Sequence, residues 1–581
     1  MNKQIWKLID NFRGPLDLSE YIVQIAACFL WIKQTESKSI DDEIQFDRTS
    51  TDFHLLQQKL VCAVQVENIF MPSRGQLTVE NTFQLMLSLQ ELVRAKVVTY
   101  KDLSDTIKLM LSEGGKYSGE AYIPEELSKL SVSLLGNNNH LVYCPFGRGY
   151  YFAHELPKTS ETFGESQVME DVFFAGVHSF LLDREFTIHH VDPIGYPSFV
   201  GDGGLKQFDS AVAFPPLNLK YGKHDINDIW DRFPEKSLMG DVYHLRHMLS
   251  QSTDIVVCVV SSGFLYRTAA GEKQFKQDIL EHNWLKAVIA LPSNLLSSTS
   301  IPINIIVLDK KKTDNTVNFI NASSESFIEQ ETRTRNKLVN VEKIVELYQS
   351  NTDSKISKHC SNAEIAENDF NLSPSRYVLT DEEEGLVNFL KSYKTAKLED
   401  LVEIIRPQAL KHNELADTVF TEYNLASLNT IGEVLGEGKK ISVSPTELNR
   451  ANKQIIKAND ILVVCKGAVG KIAIVGEHIS ENSIASQAFS ILRIKPHTNT
   501  VTSEAVYQYL ISDFGQLQIK TIITGTSALM ISAKDLNTLQ IPLFNTEKLN
   551  EIKEVRQQVV DTHKQIETLK QKITSLNNSW L

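Results

Sequence analysis

The stretch "FDSAVAFPPLN", residues 208–218, decides how the chain is read. Seven mostly apolar residues run into Pro215 and Pro216, which end a strand because proline has no N–H for the ladder. A strand apolar on both faces belongs inside a sheet that is covered on both sides. Its neighbours share the texture: "HLVYCP" from 140, "FTIHHVD" from 186, "DIVVCVVSS" from 254, "LKAVIALP" from 285 and "INIIVLDKKK" from 303. Helical stretches lie between them, such as "ESQVMEDVFFAGVHSFLL" (165–182) and "GEKQFKQDILEHN" (271–283). That alternation predicts an α/β, Rossmann-like domain over 136–325, with any ligand beyond the carboxyl ends of the strands.

The flanks read differently. Residues 1–135 place apolar side chains at three- and four-residue steps, in "IWKLIDNFRG", "LSEYIVQIAACFLWIKQ" and "NTFQLMLSLQELVRAKVV", and predict a helical N-terminal domain. Residues 326–396 are polar and read as a helical connector. From 397 to 545 short strands ("DILVVCKG", "KIAIVGE", "AFSILRIKP") mix with turns and a helix, an α+β domain. Residues 546–581 form one long helix. There Leu549, Ile552, Val555, Val559, Ile566, Leu569, Ile573 and Leu576 make a short coiled-coil stripe, interrupted at Thr562 and His563.

Bulk properties narrow the function. A chain of 581 residues has room for two to four domains with real cores. A net charge of −13 excludes a surface that is basic throughout, though a local positive groove still suffices for nucleic acid. The six cysteines are scattered without a CxxC pair, so neither a zinc site nor a disulfide framework is indicated. No apolar run is long enough to span a bilayer, and "MNKQIWKLIDNF" lacks a signal-peptide core, which predicts a cytoplasmic protein.

These segments, in this order, resemble a known family: the modification (methyltransferase) subunit of type I restriction-modification systems. "IWKLIDNFRGPLDLSEYI", "GEAYIPEELSKLSVSLL", the span from "SSGFLYRTAAGEKQF" to "PINIIVLDKKK", and "ENDFNLSPSRYV" carry the likeness over most of residues 1–380. From 397 onward "ILVVCKGAVGKIAIV", "NSIASQAFSILRI" and "GTSALMISAKDLNTLQIPLF" resemble one target-recognition half of a type I specificity subunit. The resemblance implies double-stranded DNA as partner, S-adenosylmethionine as methyl donor and adenine N6 as acceptor.

The chemistry that the resemblance implies needs side chains that are missing. Adenine's amino nitrogen is a poor nucleophile because its lone pair is delocalised. The family's Asn/Asp-Pro-Pro-aromatic motif grips that amine with a side-chain oxygen and stacks the aromatic on the flipped base. Here the four positions are Phe214, Pro215, Pro216 and Leu217. Phe214 has no acceptor and Leu217 no π face. Losing one such preorganised partner costs on the order of 10²–10³ in rate.

The cofactor motifs depart as well. The family's acidic, glycine-rich turn reads "VYCPFGRGYYF": Cys144 replaces the acid, Pro145, Gly147 and Gly149 remain, and Tyr150 takes the place of a further glycine. Arg148 adds a cation beside a donor that is itself cationic. Ile123 stands where a hydroxyl residue is usual, and Glu165 is the remaining candidate for a cofactor-binding acid. These departures predict a degenerate methyltransferase with no cofactor, its pocket empty or filled by Tyr150 and Tyr151. The alternative is an active adenine-N6 methyltransferase with an atypical motif, using S-adenosylmethionine. A protein-interaction scaffold is the third reading.

In the recognition domain Lys466, Lys471, Thr526 and Ser527 are the candidate DNA contacts. About 20 basic and about 20 acidic side chains lie from 397 on, so the acidic excess sits upstream. One recognition half with a terminal helix predicts a homodimer that pairs those helices, in a phage-defence or mobile-element system with a helicase or nuclease partner.

Overall fold

In a computed structural model of the protein, the apolar runs lie side by side in one nine-stranded sheet. The structure describes residues 2–14, 16–37, 41–46, 52–66, 69–71, 77–113, 122–137, 139–201, 203–222, 226, 228–296, 299–332, 334–379, 381–412, 415–428, 432, 438–477, 479–496, 501–523 and 530–579. The strands are β1 (Leu141–Tyr143), β2 (Glu161–Ser166), β3 (Thr187–His190), β4 (Phe208–Ala213), β5 (Ser252–Ser261), β6 (Leu285–Ala290), β7 (Ile303–Asp309), β8 (Thr316–Asn321) and β9 (Ser357–Ser361). Their spatial order is β9-β8-β6-β7-β5-β4-β1-β2-β3. Strands β3 to β5 run parallel through β2, β1 and β4, as do β6 and β8. Strand β7 runs antiparallel between β5 and β6, and β9 antiparallel along β8.

From β1 the chain adds β2 and then β3 on one side, and afterwards crosses to β4 on the other. The order therefore reverses between β1 and β4, and a crevice opens there beyond the strand ends. One sheet face packs on helices α1 (Asn2–Asp10), α2 (Leu18–Ser37), α3 (Phe53–Val66), α4 (Val79–Arg94), α5 (Tyr100–Glu113), α6 (Glu125–Ser133), α7 (Gly149–Glu155) and α8 (Met169–Leu182). The other face packs on α9 (Gly240–Ser250) and α10 (Ala270–Glu281).

Helix α2 is buried continuously from Tyr21 to Thr35. A helix apolar all round has to sit inside the protein. The described residues up to 135 are mostly helical, yet they share one core with the sheet, and residues 1–379 form one compact unit. The stretch 326–396 is not simply a helical connector. It holds a hairpin (Ile328–Thr332 with Arg335–Leu338) and β9, the sheet's edge strand. "SKHCS" is polar because an edge strand has only one neighbour, so the search for apolar runs passes over it.

The second unit, residues 380–581, holds three small sheets. Strand β10 (Lys394–Lys397) pairs with β18 (Gln540–Leu543). Strands β11 (Val402–Ile405), β17 (Phe489–Ile494), β14 (Ile461–Val464) and β15 (Ile472–Ile474) form the second sheet. The third comprises β13 (Lys439–Val443), β12 (Thr418–Tyr423) and β16 (Ser483–Ala485). Helix α11 (Ser503–Ile511) packs against the long helix α12 (Thr546–Asn578), which buries Ile552 and lays Arg556 over the Tyr507 ring at 4.8 Å. Further along, Val559, Ile566, Leu569, Ile573 and Leu576 stay exposed.

The joint between the N-terminal helices and the sheet layer depends on a buried lysine. Lys33 on α2 donates to the carbonyls of Phe180 (2.5 Å) and Leu181 (3.2 Å) at the end of α8, and to Asp183 Oδ1 at 2.6 Å. Carbonyls at a helix C-terminus lack the i+4 donors of the interior, and that of Phe180 takes only the Asp183 N–H, at 3.3 Å, besides the lysine. Lys33→Met should keep the stem's packing, strip both carbonyls of the lysine donor and destabilise the unit by about 1–3 kcal/mol. Urea unfolding checks this; a loss below about 0.5 kcal/mol rules the anchor out.

Candidate functional site

The crevice at the β1/β4 reversal holds a cavity of about 530 Å³. That is within the roughly 300–1,000 Å³ of small-molecule sites. Its wall is built from the turn after β1, the β2–α8 junction, the segments after β3 and β4, and helices α2, α5 and α9.

The turn after β1 takes an unusual path. Phe146 (φ 71°), Gly147 (φ 75°) and Arg148 (φ 31°) are all left-handed, which is uncommon for two bulky residues in three. Gly149 starts α7 so close to the strand end that an added Cβ would lie 2.3 Å from the Cys144 carbonyl. At Gly147 an added Cβ would lie 2.0 Å from Asp171 Oδ2. Both glycines are needed, but the groups that come close are the protein's own. Asp171, in the first turn of α8, accepts a hydrogen bond from Ser166 Oγ at 3.0 Å. Burial raises its carboxyl from the ordinary 3.8 to about 6, against the opposing pull of Arg148 and Ser166.

Glu165 is fully buried at the end of β2, and both of its oxygens are taken. Ser198 donates to Oε1 through its N–H and its hydroxyl, each at 2.5 Å, and the Tyr143 hydroxyl donates to Oε2. The relay continues outward. Arg232 Nη1 donates to His247 Nδ1 at 2.9 Å, which leaves the ring proton on Nε2 to donate to the Tyr143 oxygen at 2.7 Å. Burial, then the Arg232 charge, pushes the His247 pKa well down and keeps the ring neutral.

At the end of β4, Phe214 is 2% exposed and packs in the core. The Arg148 guanidinium lies over its ring, 5.1 Å from the centroid. Pro216 reaches the cavity wall, whereas Leu217 leans on the core. The structure thus brings Pro216 and Arg148 to one cavity. Ile123, Cys144, Pro145, Gly147, Gly149, Glu165, Phe214, Pro215 and Leu217 do not line it. Tyr150 and Tyr151 do not fill it either. Tyr150 stacks on His178 at 5.0 Å, and Tyr151 packs edge-on to Tyr122 at 6.0 Å, on the α5–α8 side. The helical turn that begins at Gly149 swings both rings away.

Several lining residues escaped the sequence reading: Phe146, Glu170, Asp171, Asp192, Tyr221 and His244. Asp192 was findable, being the acid that ends "FTIHHVD"; its Oδ1 accepts the Ile194 N–H at 3.0 Å. Tyr221 and His244, hydrogen-bonded at 3.1 Å, sit in segments with no motif.

In the second unit Lys466 and Lys471 are both exposed on the turn joining β14 to β15. Gly467 (φ 85°) and Gly470 (φ 88°) supply that turn's left-handed positions. Lys466 bridges to Met530, and Cys465 O accepts from the Ile531 N–H at 3.1 Å. Thr526 and Ser527 lie outside the described residues. Among the described residues no metal-holding cluster occurs, and no helix is long and apolar enough to cross a membrane.

A mostly parallel sheet that reverses order at β1, with a glycine turn and a cavity at the reversal, defines a Rossmann-like methyltransferase fold. Comparison with known proteins makes this specific. Residues 106–385 match the N-6 DNA Methylase family, and residues 391–576 match the type I restriction modification DNA specificity domain. The type I restriction enzyme MjaVII methylase subunit of Methanocaldococcus jannaschii is 27% identical over 368 residues, 57% of this chain and 62% of that one. The MpnII methylase subunit of Mycoplasma pneumoniae is 30% identical over 307 residues, 48% of this chain and 56% of that one. The chain thus spans about three-fifths of the length of these relatives. The crystal structure of a type I methyltransferase subunit from Streptococcus thermophilus superposes with a TM-score of 0.54 at 18% identity, covering 65% of this chain and 99% of that one, which shows the fold. The first unit belongs to the N-6 DNA methylases of type I restriction-modification, and the second carries a type I specificity domain.

The N-6 methylase family uses S-adenosylmethionine, and the residues present fit that group poorly. The acid at the end of β2 is fully buried off the cavity wall with the protein's own donors on both oxygens, the space beside Gly147 holds the Asp171 carboxyl, and a guanidinium lines the wall.

Asp171 offers a pH test. The folded state holds its proton more tightly than the unfolded chain does. The stabilisation is therefore present below about pH 4 and is lost as pH rises through about 6. Asp171→Asn keeps the Ser166 hydrogen bond without the buried charge. It should stabilise the protein near pH 7 by up to roughly 3 kcal/mol and change little below pH 4. Urea unfolding at the two pH values measures the difference.

Proposed function

We propose that the chain is a sequence-specific DNA-binding protein whose methyltransferase unit no longer methylates. In this reading it is the recognition component of a defence or mobile-element system related to type I restriction-modification. One observation carries the proposal: the position that should grip adenine's amine is a phenyl ring, buried in the core beneath a guanidinium. Neither group accepts a hydrogen bond from an N–H. The specificity domain's likeness supports DNA as the ligand, with Lys466 and Lys471 as backbone contacts whose contribution falls with salt.

The cavity at the strand ends favours a second reading, an active adenine-N6 methyltransferase with an unusual site. Tritiated S-adenosylmethionine separates the two. The purified chain with unmethylated DNA should deposit no label above a no-protein control; slow but protein-dependent labelling of adenine overturns the proposal.

The exposed stripe on α12 supports a homodimer through that helix. A surface helix with Leu569 and Leu576 about three-fifths exposed gains by pairing its apolar face. The paired chains then read two half-sites, and a helicase or nuclease acts on the complex. The chain should scatter light as a dimer at micromolar concentration, and the double substitution Leu569→Glu, Ile573→Glu should give monomers of unchanged far-UV circular dichroism.

A further inference from the structure

Loss of methylation leaves one feature of the cavity unexplained, namely its own positive charge. Among the described residues, Arg148 is the one guanidinium on a wall that also holds Glu170, Asp171 and Asp192. It is held at φ 31°, a conformation that a non-glycine residue adopts at some cost. Its charge favours the ionised form of Asp171, and its guanidinium reaches the ring of Phe214. Residue 214 marks where a substrate amine would be gripped. In an in-line transfer the methyl group must lie between that amine and the donor's sulfur. The guanidinium therefore stands in the space that a sulfonium methyl would need. Two cations cannot share a partly enclosed site without strong repulsion.

We propose that Arg148 is a tethered stand-in for the donor's cation: its guanidinium takes the place of a positive sulfur, balances the carboxylates around it and closes the cavity to sulfonium donors. The inference rests on the reading of the first unit as non-methylating. It adds that the site is occupied in charge by the chain itself, so the fold keeps the electrostatics of a donor-loaded methyltransferase without a donor.

The full chain is tested by thermal unfolding and titration calorimetry, with S-adenosylmethionine, S-adenosylhomocysteine and millimolar guanidinium as probes. Two variants are needed. Arg148→Gly suits the left-handed backbone and removes the charge, while Arg148→Lys retains it. The unaltered protein and Arg148→Lys should show no stabilisation by S-adenosylmethionine. Arg148→Gly should unfold at a lower temperature and be stabilised by guanidinium and by the sulfonium. It should bind the neutral thioether S-adenosylhomocysteine at least ~10-fold more weakly than the sulfonium. Binding of S-adenosylmethionine to the unaltered protein overturns the proposal, as does a Gly variant that neither cation stabilises or that binds thioether and sulfonium alike. Should Arg148→Gly fail to fold, the unaltered protein and Arg148→Lys decide the matter alone. Label transferred to DNA defeats the non-methylating reading, whereas binding of the donor without transfer defeats only the role given to Arg148.

Discussion

A carboxylate buried without exposure has to find donors for its oxygens, and the arrangement of the first unit around Glu165 follows from that constraint. Tyr143 on β1, Ser198 beyond β3, His247 on α9 and Arg232 come from four separate segments. Each is placed so that the next bond in the relay can form. Arg232 is tied further, donating to the carbonyls of Pro193 (3.1 Å) and Ile194 (2.5 Å) and to Asp228 at 3.0 Å. Removing any one member leaves a buried polar group unsatisfied, so the strand ends around the cavity are fixed relative to one another. The arrangement that makes the crevice rigid is also the one that puts the protein's own donors on both oxygens of Glu165.

The same exchange recurs at the turn after β1. A glycine there would ordinarily let a ligand approach the backbone. At Gly147 the approaching group is Asp171, and at Gly149 it is the carbonyl of Cys144. Asp171 accepts an unfavourable burial for its charge, and Arg148 accepts a left-handed backbone that brings its guanidinium over Phe214. Strain and buried charge of this kind persist in functional sites because the surroundings over-determine them. Here both have been turned toward the chain's own side chains.

Strands β4 to β7 were legible in the sequence because a strand covered on both faces is apolar throughout, whereas β3 ("TIHH"), read in the same way, is a mostly exposed edge strand. Strands β2 ("ETFGES") and β9 ("SKHCS") were not, since the first carries a glutamate whose partners are distant in sequence and the second lies at the sheet's edge. Helices α1 to α5 were legible as helices, but not as part of the sheet's own core; periodicity shows which face is apolar and not what covers it. At the candidate site the phenyl ring at the position of the expected amine grip, Phe214, could be read directly from the sequence. That the cavity survives, that Tyr150 and Tyr151 point away from it, and that Asp171 meets Gly147 depend on a turn with three left-handed residues in a row, which composition does not encode.

On the proposed reading, charge sets a further condition on how such a chain would meet DNA. The net −13 lies upstream of residue 397, and the remainder is balanced. A phosphate backbone would therefore be repelled, on average, by the residues before 397 and treated neutrally by those from 397 on. Attraction has to come from local geometry. The proposed place is the β14–β15 turn, whose two left-handed glycines let the backbone fold back so that Lys466 and Lys471 share a single hairpin end. Few contacts of that kind give weak sequence-independent affinity, which leaves base-edge contacts to decide which sequence is preferred. An acidic, non-basic scaffold is thus compatible with sequence recognition, provided that doubling the chain through α12 multiplies a modest half-site affinity by the effective concentration of the second half.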